Sequence, residues 1–253
     1  MAAAEPDIRV FEDLGALSEA AATELAGASK DAVSLRGRFL VVLSGGGTPA
    51  SLYGLLSRPT YRDEIPWGSV HLFWGDERCV PPDDPESNFG QAWDAFLHEV
   101  PVPPENIHRI HGEMDPVKAA SDYELVLKGY AAPPLDWPRF DLVLLGLGED
   151  GHTASLFPGS TVEAASPVEA VTGQYQDRPS QRVTLTPLVF NLARKVMFLA
   201  AGASKARIVA EVLGGQQRPD RIPAQRIRPV DGTVMWLLDR GAAGALTNIR
   251  FKE

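Results

Sequence analysis

VVLSGGGTPASLYGLL, residues 41–56, runs from an apolar stretch through three glycines into a helical pattern. The apolar stretch begins at Arg38 and ends at Leu43 without polar alternation, as in strands covered on both faces. Gly45, Gly46 and Gly47 let the backbone turn sharply and approach a ligand. Thr48-Pro49 pairs a capping side chain with a proline suited to the first helical position. The same succession recurs along the chain. Strands are predicted at Arg38–Leu43, Val70–Trp74, Phe140–Leu145, Lys195–Ala200 and Val234–Leu238. Helices are predicted at Leu17–Ser29, Pro49–Leu56, Phe89–Leu97, Pro116–Tyr130 and Lys205–Leu213, with Asp115-Pro116 as a second start signal. The alternation predicts an α/β fold: a single domain over 1–253, doubly wound, with a mostly parallel sheet and helices on both faces.

Three segments fit this rhythm less well. Gly75–Ser87, rich in proline and acids, is expected to be a long loop. Val168–Leu185 reads as two short β segments around the polar turn QYQDRPSQ, and Gln216–Pro229 carries four arginines without a clear period. None has the composition of a flexible linker.

The 253 residues carry a net charge of −9, with 44% hydrophobic and 23% charged residues. That balance suits a globular protein with a full core and argues against nucleic-acid or membrane-surface binding, which need a positive face. A local basic pocket for a small anion remains compatible with it. One cysteine, Cys79, excludes an intrachain disulfide and a cysteine-rich zinc site. The start lacks a secretory pattern and no apolar run approaches a membrane span, so a cytoplasmic protein is expected.

Ligands of open α/β sheets bind beyond the carboxyl ends of the strands, so the chemistry is sought there. Ser44, Gly45, Gly46, Gly47 and Thr48 form a candidate phosphate cradle, with the N–H groups of the following helix aimed at the turn; a simple tight turn is the alternative. The loop is neither a Walker sequence nor Gly-x-Gly-x-x-Gly. After the second strand, Arg78 can hold a phosphate bidentately, and Asp76 or Glu77 can orient it or contact sugar hydroxyls. Cys79, beside Arg78, could have a lowered pKa, although a lone loop cysteine is usually inert.

After the central strand, Gly146-Leu147-Gly148-Glu149-Asp150-Gly151-His152 presents an acid and a histidine at the strand end. An ordinary histidine is mostly neutral at pH 7 and can deprotonate water; Asp150 can fix its tautomer or hold a substrate hydroxyl. The competing reading is a capping histidine at a helix start near Thr153. His108-x-x-His111 lacks partners for a metal site, and no Gly-x-Ser-x-Gly elbow is present. Lys205 follows the next strand as a point charge for a phosphate, and one of Arg218, Arg221, Arg226 and Arg228 could line the pocket wall.

Together, Ser44-Gly45-Gly46-x-Thr48-Pro49, Gly75-Asp76-Glu77-Arg78 with Ser87-Asn88, Gly146-Leu147-Gly148-x-Asp150-Gly151-His152-x-Ala154-Ser155-Leu156-Phe157-Pro158 and Gly202-x-x-Lys205 resemble the 6-phosphogluconolactonases. The resemblance implies a Rossmann-like fold shared with glucosamine-6-phosphate deaminase and ribose-5-phosphate isomerase. It implies hydrolysis of 6-phosphoglucono-δ-lactone to 6-phosphogluconate in the oxidative pentose phosphate pathway, with no metal or organic cofactor. The expected partner is a small phosphorylated sugar lactone, and the expected state a monomer or weak homodimer. By the same resemblance His152 is the general base, Arg78 and Lys205 are phosphate-side cations, and Gly45, Gly46 and Thr48 form the glycine loop. The roles of Asp76 and Asp150 are less settled. Ile222-Pro223-Ala224 resembles the family's Leu-Pro-Ala stretch. The rival within this fold, a deaminase or isomerase, follows Asp-Gly-His with Phe-Asn-Glu-Pro; here Leu156-Phe157-Pro158-Gly159 lacks the acid. The rival outside enzymology, a sugar-phosphate sensor, would need a helix-turn-helix extension, for which the first 37 residues are too short and too acidic.

Overall fold

The computed structural model describes residues 5–160, 166–173 and 179–247. Its strands are β1 (Asp7–Phe11), β2 (Phe39–Leu43), β3 (Val70–Trp74), β4 (Asp76–Arg78), β5 (Ile107–His108), β6 (Leu142–Gly146), β7 (Val168–Thr172), β8 (Gln181–Leu185), β9 (Lys195–Ala200) and β10 (Thr233–Asp239). Seven of them form a parallel sheet in the order β1-β10-β9-β6-β2-β3-β5. The apolar runs lie where both faces are covered: every residue of β2 is buried, as are Leu142–Leu145 of β6.

Helix Leu14–Arg36 is longer than its apolar period predicts, because its limits lie in polar residues outside that period. Asp13 accepts from the N–H of Ala16 at 2.9 Å, and Gly37 ends the helix in the left-handed conformation. Asp115 caps helix Pro116–Lys128 through the N–H groups of Val117 and Lys118. Thr48 does not cap its helix. That helix spans Gly47–Leu56, with Gly46 in the capping position and no side-chain cap.

The expected loop 75–87 instead opens with a strand. β4 pairs antiparallel with β8, and β8 with β7, forming a second sheet of order β4-β8-β7. Gly75 joins the sheets: its N–H donates to the Leu43 carbonyl at 2.9 Å, and its carbonyl accepts from Leu185 at 2.8 Å. An Asp-Glu-Arg strand defies propensity because its pairing partner is supplied by Arg182–Thr184, about a hundred residues later. Residues 174–178 of the anticipated polar turn lie outside the described residues. Buried side chains of both sheets, such as Val143 and Val183, belong to one continuous apolar core.

Two buried tyrosines pin strand ends near the second sheet. Tyr53 Oη accepts from the Ser44 N–H at 2.9 Å and donates to the Ser44 carbonyl at 2.7 Å. Tyr123 Oη accepts from the Trp74 N–H at 2.9 Å.

His108 does not pair with His111. It faces His71 on β3, with 3.3 Å between His108 Nε2 and His71 Nδ1 and 2.9 Å from Nε2 to Tyr130 Oη. Burial, and then the neighbouring His71, hold His108 down at about 4. Burial, and then Arg38, lower His71 as well. A histidine depressed in the folded state contributes stability that is present above its ordinary value of ~6.5 and lost as pH falls through ~6.5 towards 4. Urea midpoints measured from pH 7.5 to 4 are therefore expected to fall more steeply for the wild type than for His108→Asn.

Candidate active site

The carboxyl ends of β2, β6 and β9 and the start of β4 open on one cleft of about 270 Å³. Ser44, Gly45, Gly46, Gly47, Thr48, Asp76, Arg78, His152 and Lys205 all line it. Thr48, not needed as a cap, faces the cleft from the first turn of helix 47–56, where free backbone N–H groups favour an anion. Lys205 follows β9 and Arg78 lies on β4, just beyond β3 in the chain; β6 and β2, which lead into the His152 turn and the glycine loop, lie between β9 and β3 in the parallel sheet. Lys205 Nζ lies 4.0 Å from Glu149.

His152 sits in no helix; the chain after it makes a tight bridge between Thr153 and Leu156, and Thr153 Oγ1 donates to the Gly146 carbonyl at 2.8 Å. Asp150 stands outside the cleft lining, yet its Oδ1 lies 2.6 Å from His152 Nδ1 and accepts from the His152 N–H at 3.1 Å. Partial burial works to raise the Asp150 carboxyl, but its hydrogen bond and attraction to His152 outweigh burial and hold it below its ordinary value. The Gly148 N–H donates to the His152 carbonyl at 2.8 Å, closing the turn. A Cβ at position 148 would occupy the space of the imidazole and of the Asp150 carboxylate.

Arg78 is buried, and Nη1 donates to the Glu86 carbonyl at 2.5 Å and lies 3.5 Å from the Glu86 carboxylate. Neither acid beside it orients the guanidinium. Asp76 is held by Ser155 Oγ at 2.7 Å and by Asn88 Nδ2. Glu77 accepts from the N–H groups of Arg78, Asn88 and Phe89, tying β4 to the start of helix Asn88–Ala92. Burial pushes the Glu77 carboxyl up to about 7 against those donors. Burial also pushes the Cys79 thiol up to about 11, with Glu77 adding to it, so the lowering suggested by neighbouring Arg78 does not occur.

None of Arg218, Arg221, Arg226 and Arg228 lines the cleft. Arg226 Nε donates to the Pro219 carbonyl and Nη2 to Asp220, while Arg218 binds Gln216. What this segment gives the site is backbone: the Ala224 N–H donates to the Gly151 carbonyl at 3.0 Å, and Ile222 packs under Gly151. Sequence reading missed Arg182, which lines the cleft from β8 with Nε donating to the Pro179 carbonyl and its guanidinium 5.5 Å from the Phe157 ring. It gave Asn88 no role; this residue also lines the cleft. Among the described residues no group of three or more His, Cys, Asp or Glu could hold a metal ion, and no helix is long and apolar enough to cross a membrane.

Fold and site define an α/β protein whose strand-end cleft joins a histidine–carboxylate pair to cations and a glycine loop. A model of the glucosamine-6-phosphate isomerases/6-phosphogluconolactonases matches residues 12–236, and the chain belongs to that family. It is 41% identical to the 6-phosphogluconolactonase of Mycobacterium tuberculosis over 248 residues, covering 94% of this chain and 98% of the relative. It is 41% identical to that of Synechocystis sp. over 213 residues, covering 83% and 86%. The solved 6-phosphogluconolactonase of Trypanosoma brucei superposes with a TM-score of 0.83 at 30% identity, covering 96% of this chain and 99% of that one. A monomeric glucosamine-6-phosphate deaminase shares the fold, with a TM-score of 0.82 at 23% identity over 95% and 100%.

The geometry around Gly148 carries a direct expectation. In Gly148→Ala the methyl group displaces the imidazole, so the ¹⁵N spectrum of His152 should lose the signature of an Nδ1–H held by a carboxylate. An unchanged His152 spectrum would contradict the packing described.

Proposed function

We propose that this chain, acting as one catalytic domain, hydrolyses 6-phosphoglucono-δ-lactone to 6-phosphogluconate in the oxidative pentose phosphate pathway, with His152 as the base that activates water. The observation that carries the proposal is the 2.6 Å pairing of His152 Nδ1 with Asp150 in a cleft also lined by Arg78 and Lys205. The similarity to 6-phosphogluconolactonases supports the choice of substrate.

The protonation logic follows from Asp150. Held below its ordinary value, it is a carboxylate at neutral pH and can only accept. The proton between the two groups therefore belongs to Nδ1, which leaves the Nε2 lone pair of a neutral imidazole to take a proton from water. The hydroxide attacks C1, the ring C1–O5 bond breaks, and the imidazolium returns its proton to O5. A lactone carbonyl is electrophilic, so a positioned base and donors for the developing oxyanion suffice without a covalent nucleophile. The phosphate, bound by the glycine loop and the cations, supplies remote binding energy that holds C1 beside His152.

Acid release from freshly prepared 6-phosphogluconolactone, corrected for spontaneous hydrolysis, tests this. His152→Ala is expected to lose about 10²–10⁴ in kcat, and Asp150→Asn at least about 10-fold through the wrong tautomer. Wild-type and His152→Ala rates that coincide would exclude the mechanism. Arg78→Ala and Lys205→Ala are each expected to raise KM about 10- to 100-fold, the loss of a hydrogen bond to a charged group, with a smaller change in kcat. Unphosphorylated gluconolactone should not respond to either substitution.

A further inference from the structure

The turn that carries Lys205 is held from outside the cleft by one carboxylate. In the parallel sheet Leu238 of β10 lies beside Ala200 of β9, so the two strands end at the same level. Asp239, the last residue of β10, therefore stands next to the turn that leaves β9. The Gly202 N–H donates to its Oδ1 at 3.0 Å and to its Oδ2 at 2.9 Å. The Gly202 carbonyl in turn accepts from the Lys205 N–H at 3.0 Å. Successive hydrogen bonds thus run from Asp239 through Gly202 to the backbone of the lysine.

Gly202 has a φ of 98°, in the left-handed region, so this turn is a conformation that only glycine adopts readily. Helix Arg240–Ala243 presses against the turn closely: a Cβ on Gly241 would lie 2.9 Å from the Ala203 nitrogen. Asp239 Oδ1 also accepts from the Ala242 N–H at 2.7 Å, capping that helix. A cap needs one oxygen, and asparagine or serine supplies it equally well. Among the described residues Oδ2 is bonded by the Gly202 N–H alone. The second oxygen of the carboxylate thus serves the Lys205 turn and not the cap. Asp239 itself lies outside the cleft lining, whereas Lys205 lies on it.

We propose that Asp239 is the positioning residue for Lys205: it fixes the turn after β9 so that the ammonium meets the substrate phosphate, and it governs the affinity for the phosphorylated lactone without touching it. This rests on the hydrolase reading above and adds to it a residue that the cleft lining does not contain. The physical reason lies in the lysine side chain. Its charge rides on a flexible four-carbon stem, so the place of the ammonium depends on where that stem begins. A backbone held before the ligand arrives leaves less freedom to be lost on binding.

A double-mutant cycle in the full-length protein, with 6-phosphogluconolactone as substrate, tests this. Hydrolysis by wild type and the KM of Lys205→Ala test the underlying reading by themselves. Asp239→Asn keeps a capping oxygen for Ala242 and sets an NH₂ group against the Gly202 N–H in place of Oδ2. It is expected to raise KM about 3- to 10-fold, the worth of one hydrogen bond, with kcat within about twofold of wild type. In the Lys205→Ala background the same substitution is expected to change KM by less than about twofold, because the side chain it places is gone. Equal factors in the two backgrounds would show a merely structural role and overturn the proposal. A fall in kcat with KM unchanged, or Asp239→Asn kinetics equal to those of wild type, would overturn it as well. If Asp239→Asn does not fold, Asp239→Ser, which supplies one capping oxygen, goes through the same cycle with the same expectations.

Discussion

The hydrogen bond between His152 Nδ1 and Asp150 Oδ1, 2.6 Å long, depends on a missing atom: the Cβ that Gly148 does not have. The turn that holds the pair closes on itself through the Gly148 N–H and the His152 carbonyl. From outside, the Ala224 N–H props the Gly151 carbonyl. A carboxylate and an imidazole brought together by an open loop would lose much of their pairing to chain entropy and solvent. Here the backbone bears that cost before any ligand arrives, so the imidazole is held in one orientation.

Around this pair the two sheets divide the work. The parallel sheet delivers the glycine loop, the His152 turn and Lys205 to a common edge because all its strands run the same way. The small antiparallel sheet delivers Asp76, Arg78 and Arg182 from the side. Gly75, bonded to Leu43 on one hand and Leu185 on the other, is the residue at which the chain changes sheets. The cleft therefore sits at a seam, and the rigidity of each wall comes from a different set of strand pairings. Tyr53 clamps the end of β2 at Ser44, so the glycine loop leaves the sheet from a fixed point.

Much of this was legible in the sequence. β3 and β9 fall at their expected limits, and Ser44, Gly45, Gly46, Gly47, Thr48, Asp76, Arg78, His152 and Lys205 line the cleft with Asp150 against the imidazole, whereas Glu77 turns to the N–H groups of Arg78, Asn88 and Phe89. Those signals are local: apolar runs, glycine turns and a proline behind a cap. What sequence did not disclose is non-local. β4 is a strand because of residues 182–184, Arg182 reaches the cleft because of β4, and Arg78 is steered by Glu86 rather than by the adjacent acids. Thr48-Pro49 has the pattern of a cap, whereas Gly46 takes the position. The arginine-rich segment has the composition of a cation supply; Arg226 turns to Asp220 and the Pro219 carbonyl, Arg218 to Gln216, and the backbone supports Gly151.

The claim on which the rest hangs is that the lactone carbon meets the Nε2 edge of His152 while the phosphate lies among the cations. A crystal structure with 6-phosphogluconate bound tests it most directly. The account predicts the C1 carboxylate within hydrogen-bond distance of His152 Nε2 and the phosphate against the glycine loop with Arg78 or Lys205. A product bound the other way round, with its phosphate at the imidazole, would contradict it.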